Sequence, residues 1–169
     1  MTTVTLKGNP IAIKGPIPAV NSQASNFSYV KADLSEGNLE DLGDSVKVLL
    51  AVPSLDTGVC AMETKRFNQE VSAMQGVETL VISKDLPFAM GRFCETNGVD
   101  NVTSASDFRY QSFTQQYNTE IMEGPLKGLS CRAVFVLDGN NTVVYAELVP
   151  EITQEPNYEA ALTAVNALL

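Results

Sequence analysis

A cysteine stands at the end of the segment Pro53-Ser54-Leu55-Asp56-Thr57-Gly58-Val59-Cys60, where a buried apolar run has finished and an amphipathic pattern begins. In the first turn of a helix, unpaired backbone N–H groups and the positive end of the macrodipole favour a thiolate over a thiol, and the thiolate is the nucleophile. Thr57 lies three residues earlier, close enough across the turn to reach the sulfur or an incoming oxygen, and Pro53 can narrow a pocket and keep water off. If the sulfur attacks an O–O bond, negative charge builds on the departing oxygen, so fixed donors and a permanent cation beside Cys60 would lower the barrier. The chain has no histidine, which leaves Lys or Arg for that cation. Arg132 is the best candidate, because it interrupts the otherwise apolar run 131–137. Strand alternation sends its neighbour Cys131 to the opposite face.

Each of these residues also has a structural reading. Cys60 could be a packed core residue, Thr57 a helix cap, Pro53 a strand terminator, and Arg132 the partner of one of twenty acidic side chains. Cys94 and Cys131, taken alone, read as small buried hydrophobes.

Composition narrows the field. Without histidine no Ser-His, Cys-His or His-metal mechanism can be assembled, and three widely spaced cysteines resemble neither a disulfide framework nor a zinc knuckle. Eleven basic against twenty acidic residues give a net charge of -9, which repels nucleic acid and anionic lipid. The first fifteen residues alternate apolar and polar and do not read as a secretory signal, and no stretch is long and apolar enough to cross a bilayer. A cytoplasmic location is expected. At 169 residues, 44% of them hydrophobic and 18% charged, the chain suits a single domain, 1–169, with its own core.

The elements that would position these residues are legible in outline. Runs at 3–6 and 11–13 read as an N-terminal hairpin, an appendage within about 1–15, with a weaker strand at 27–31. Residues 46–52 form an almost continuous apolar run, the expected centre of a sheet covered on both faces. Ala61, Met62, Phe67, Val71 and Met74 suggest an amphipathic helix ending before Gly76, and a buried strand follows at 77–82, which makes a right-handed βαβ unit. A helix at 86–94 has Pro87 in its first turn and carries Cys94 near its C-terminal end. A helical patch at 111–117, a hairpin of 131–137 with 142–149, and a closing helix at 158–169 complete the order. This is an α/β, thioredoxin-like fold with an N-terminal β-hairpin extension.

The segment PSLDTGVC fits the Pro-xxx-Thr-xx-Cys signature of the peroxiredoxins. With LKGNP, KRFNQE, DLPFAMGRFC, GPLKGL, RAVFVLD and EITQEPNYEAAL, the chain resembles the bacterial thiol peroxidase branch of that family over essentially its whole length. The resemblance implies that Cys60 is the peroxidatic residue, that Thr57 and Arg132 complete the catalytic set with Pro53 in the substrate pocket, and that Cys94 is the resolving cysteine. It also implies a homodimer that uses no metal or organic cofactor, reduces hydrogen peroxide and alkyl hydroperoxides, and takes electrons from thioredoxin. Ser130 and Cys131 stand where small residues are expected, so Cys131 has no expected catalytic part. Two other functions fit a thioredoxin-like fold: a protein disulfide oxidoreductase, which the absence of a C-x-x-C pair weighs against, and a non-catalytic redox sensor. Because a disulfide needs Cα atoms within ~7 Å, the first turn of the Cys60 helix, the Cys94 segment, or both are expected to unwind in each cycle.

Overall fold

The computed structural model describes residues 2–169. Strands β1 (Thr2–Leu6) and β2 (Asn9–Ile13) pair antiparallel as the expected hairpin, and Lys7 and Gly8 turn the chain at φ of 50° and 83°. The short strands β3 (Ser28–Val30) and β4 (Glu36–Asn38) follow, then a 3-10 turn, Leu39–Leu42. All six residues of β5 (Val46–Ala51) are buried: five are apolar in a strand covered on both faces, and the Lys47 ammonium donates to the Gly43 and Gly139 carbonyls.

Helix α1 (Gly58–Val71) buries Cys60, Glu63, Thr64, Phe67 and Val71, a stripe at helical spacing. The expected stripe ran through Met62, which is instead 51% exposed. Full burial of a side chain such as Phe67 contributes roughly 1.5–3 kcal/mol. The helix ends at Ser72, and Gly76, at φ 76°, turns the chain into β6 (Val77–Ser83). Helix α2 (Pro87–Thr96) starts on its proline, whose missing N–H costs nothing in a first turn, and carries Cys94 in its last turn.

A strand absent from the sequence reading, β7 (Thr103–Ser106), pairs parallel with β6. Helix α3 (Ser112–Gln116) is held by Asp107, whose carboxylate accepts from the Phe113 and Thr114 N–H groups and from the Thr114 hydroxyl. Strands β8 (Ala133–Leu137) and β9 (Val143–Leu148) form the second hairpin, and α4 (Tyr158–Asn166) begins where the Asn157 side chain accepts from Ala160 N. The expected strand began at residue 131, whereas Cys131 and Arg132 form the extended lead into β8.

The main sheet runs β4-β3-β7-β6-β5-β8-β9, with β5, β6 and β7 parallel and β8 antiparallel to β5. One face carries an aromatic core of Phe27, Tyr29, Phe113, Tyr117 and Phe135, with Phe113 stacked on Tyr117 at 4.4 Å. The other face packs α1, α2 and α4 around Val48, Leu50, Phe67, Met90 and Val165. Beside them, Val4, Ile11 and Ile13 of the first hairpin pack on Ile121, Cys131 and Ile152. These pairings bring the ends of β5 and β8 side by side, Ala51 opposite Ala133. The segment leading to Cys60 leaves one strand end, and Arg132 enters the other.

Candidate active site

Cys60 is the third residue of α1 and is fully buried. Its sulfur accepts a hydrogen bond from Arg132 Nη1 at 3.3 Å. The guanidinium is aimed by the Ile152 carbonyl, which accepts from Nε at 3.0 Å and Nη2 at 2.8 Å. Ile152 is itself tied to the hairpin, donating its N–H to the Thr5 carbonyl at 2.9 Å.

Arg132 Nη1 also donates to Glu63 Oε1 at 3.0 Å, in an ion pair that is almost completely buried. Burial pushes the Glu63 carboxyl from its ordinary 4.5 up to about 7, against the pull of Arg132, while Glu147 and Glu155 push it the same way as burial. Its second oxygen has no hydrogen-bond partner. For Arg132, burial acts to lower the guanidinium, and the negative charges of Cys60 and Glu63 outweigh it, so it titrates above its ordinary value and stays cationic.

Above this pair lies a cavity of about 430 Å³ bordered by Pro53, Thr57, Val59, Leu129, Arg132 and the hairpin residue Lys7. The structure brings four of the residues singled out in the sequence together: Pro53, Thr57 and Arg132 border this cavity, and Cys60 is hydrogen-bonded to Arg132. Thr57 occupies the N-cap position of α1, yet its hydroxyl makes no cap bond and no bond to sulfur. It donates to the Ser54 carbonyl at 2.9 Å, which leaves the oxygen's lone pairs available to an incoming O–H.

Cys94 lies elsewhere, half-buried on α2, beside a cavity of about 300 Å³ lined by Lys31, Asp33 and Thr103. Burial pushes its thiol up. All three cysteines are free, and Cys60 and Cys94 meet only as members of one apolar cluster. Cys131 faces the hairpin core, away from Cys60, as alternation predicts.

Glu63 was missed, although its position three residues after Cys60 on a buried helical stripe signalled it. The Ile152 carbonyl gave no signal, since a backbone acceptor has no side-chain signature. Among the described residues no cluster of Cys, Asp and Glu is placed to hold a metal ion, and no helix is long and apolar enough to cross a membrane.

Comparison with known proteins shows the family. The Redoxin family model matches residues 19–162. A thiol peroxidase of Leptospira interrogans serogroup Icterohaemorrhagiae serovar copenhageni (strain Fiocruz L1-130) is 58% identical, with all of both chains covered. A peroxiredoxin-like protein of Aquifex aeolicus is 48% identical, and its crystal structure superposes with a TM-score of 0.93 over 99% of this chain and 97% of that one. A thiol peroxidase of Chromobacterium violaceum, 20% identical, shares the fold at a TM-score of 0.89 over 98% of this chain and 95% of that one. An α/β sheet of this order with a thiol in the first turn of the helix that follows its central strand, matched along its length to such relatives, identifies the chain as a member of the Redoxin family, in its peroxiredoxin-type thiol peroxidase branch.

Proposed function

We propose that Cys60 is the peroxidatic cysteine, that Thr57, Arg132 and Pro53 form the pocket that activates the peroxide, and that Cys94 resolves the product. The observation that carries this reading is the Arg132 N–H aimed at Cys60 Sγ from 3.3 Å by a guanidinium that also borders the cavity. A hydroperoxide R–O–O–H enters with its O–H directed at the Thr57 oxygen. The thiolate attacks the terminal oxygen, the S–O bond forms as the O–O bond breaks, and the oxygen bearing R leaves with the electron pair, takes a proton and departs as water or alcohol. Fixed donors meet charge that develops on sulfur and oxygen, and removing one such donor costs about 10²–10³ in rate where this has been measured in other enzymes.

The product is a sulfenic acid. The Cys94 thiol attacks its sulfur and releases water, leaving an intramolecular disulfide that the dithiol of thioredoxin reduces through a mixed disulfide. Both cysteines sit within continuous helices and Cys60 is fully buried, so the turn around Cys60, the end of α2, or both open before the two sulfurs meet. The working form is a cytoplasmic homodimer of one-domain chains.

Consumption of hydrogen peroxide and small alkyl hydroperoxides, coupled to nicotinamide oxidation through thioredoxin and its reductase, tests the reading. Many turnovers per chain are expected. Oxidation that stops after one equivalent would make the protein a sensor instead.

A further inference from the structure

The turn that delivers Cys60 is fastened from outside the pocket, by a carboxylate that the mechanism above does not use. Asp85 stands between the end of β6 and Pro87, at the entrance to the helix of Cys94. Its Oδ1 accepts from the Ser54 hydroxyl at 2.7 Å, and its Oδ2 accepts from Leu55 N at 2.8 Å and from the Ser83 hydroxyl at 2.7 Å. Behind it, the Asp85 carbonyl accepts from Ser106 at 2.5 Å, and its own N–H donates to Ser83 at 3.1 Å, which fixes the carboxylate to the sheet.

Ser54 carries the constraint onward to the catalytic turn. Its hydroxyl accepts from Asp56 N at 3.1 Å, and its carbonyl accepts both the Thr57 hydroxyl at 2.9 Å and the Thr57 N–H at 3.3 Å. Leu55, buried beside this clasp, joins Cys60 in the cluster against which Phe93 and Cys94 pack. On the far side of the clasp a cavity of about 270 Å³ separates Ser54, Leu55 and Asp85 from Ala89, Arg92 and Phe93 of α2. The turn therefore has room beside it in the direction of the Cys94 helix, and Asp85 is the group that ties it back.

We propose that Asp85 is a latch: its carboxylate holds the Cys60 turn in the conformation that receives peroxide, and letting go of Ser54 and Leu55 is the step that admits Cys94. The proposal rests on the assignment of Cys60 and Cys94 made above. Asp85 is a positioning residue, acting through Ser54 on Thr57 and the first turn of α1. A latch has opposite effects on the two halves of the cycle. Loosening it disorders the pocket and slows attack on peroxide, while raising the population of the open turn and hastening disulfide formation.

The test is rapid mixing of the reduced protein with hydrogen peroxide, which resolves sulfenic acid formation from disulfide formation, on the wild type, Asp85→Asn, Asp85→Ala and Ser54→Ala. The expected result for Asp85→Ala is a first phase slower by roughly tenfold, the scale of one charge-assisted hydrogen bond, together with a faster second phase. Less conversion of Cys60 to sulfinic acid at high peroxide should accompany it, since the sulfenic acid is exposed to a second peroxide for a shorter time. Asp85→Asn and Ser54→Ala should shift both phases in the same directions by less, so the comparison survives if the alanine variant at Asp85 fails to fold. Two phases slowed in proportion, or two phases unchanged, in the variants that fold would overturn the latch while leaving the roles of the cysteines intact. A wild type without a second phase would overturn both.

Discussion

Cys60 and Cys131 are both fully buried, and both lie beside Arg132, one in space and one in sequence. Around Cys131 are Val4, Ile11, Ile13, Ile121 and Ile152, and burial pushes its thiol up to about 12, against small opposing effects of its own backbone and of Arg132. Cys60, across the chain, receives a guanidinium N–H on its sulfur and sits in the first turn of a helix. Burial alone therefore makes an inert thiol. In the proposed reading a thiol becomes usable when the same burial also aims a fixed cation at it; next door that burial pushes the Glu63 carboxyl up to about 7 against the pull of Arg132.

The contrast is broken most completely at Cys60 itself. Cys60→Ser should abolish peroxide consumption in the thioredoxin-coupled assay. Cys94→Ser should keep a first turnover of sulfenic acid, seen by dimedone trapping, and lose recycling. Arg132→Met should slow the first turnover roughly 10²–10³-fold, because it removes the fixed cationic donor that distinguishes the surroundings of Cys60 from those of Cys131.

A smaller effect is expected on stability. Since the folded protein keeps the Glu63 proton after an unfolded chain has released it, this group favours folding most below about pH 4.5, and its contribution is lost as pH rises to about 7. Glu63→Gln should flatten that part of the wild-type stability profile, measured by chemical denaturation across the range. The smallest effect belongs to Cys131→Ala, which should cost about 1 kcal/mol of stability through lost packing and leave the peroxide rate unchanged.

Much of this was readable in the chain. The β5-α1-β6 unit announced itself because residues 46–52 are apolar but for Lys47 and residues 77–82 carry Val77, Leu80, Val81 and Ile82, and Pro87 marked the start of α2 as the structure has it. Strand β7 escaped notice since Thr103, Ser104, Ala105 and Ser106 carry no large apolar side chain, and only pairing with β6 makes them a strand. Strand β4 was hidden in the same way, with Gly37 at its centre lying under the Tyr29 ring. At the site, motif residues were visible because their types are rare in their settings, an arginine in an apolar run above all. The clasp of Asp85 on Ser54 and Leu55 was not, because it joins residues about thirty apart through a turn whose path no local pattern specifies.

The most direct test asks which sulfur the oxidant finds. One equivalent of hydrogen peroxide, mixed with the reduced Cys94→Ser protein in the presence of dimedone and followed by peptide mass spectrometry, should place the label on Cys60 alone, at a rate far above that of free cysteine. Label on Cys131, or labelling of Cys60 no faster than of the free amino acid, would contradict the account.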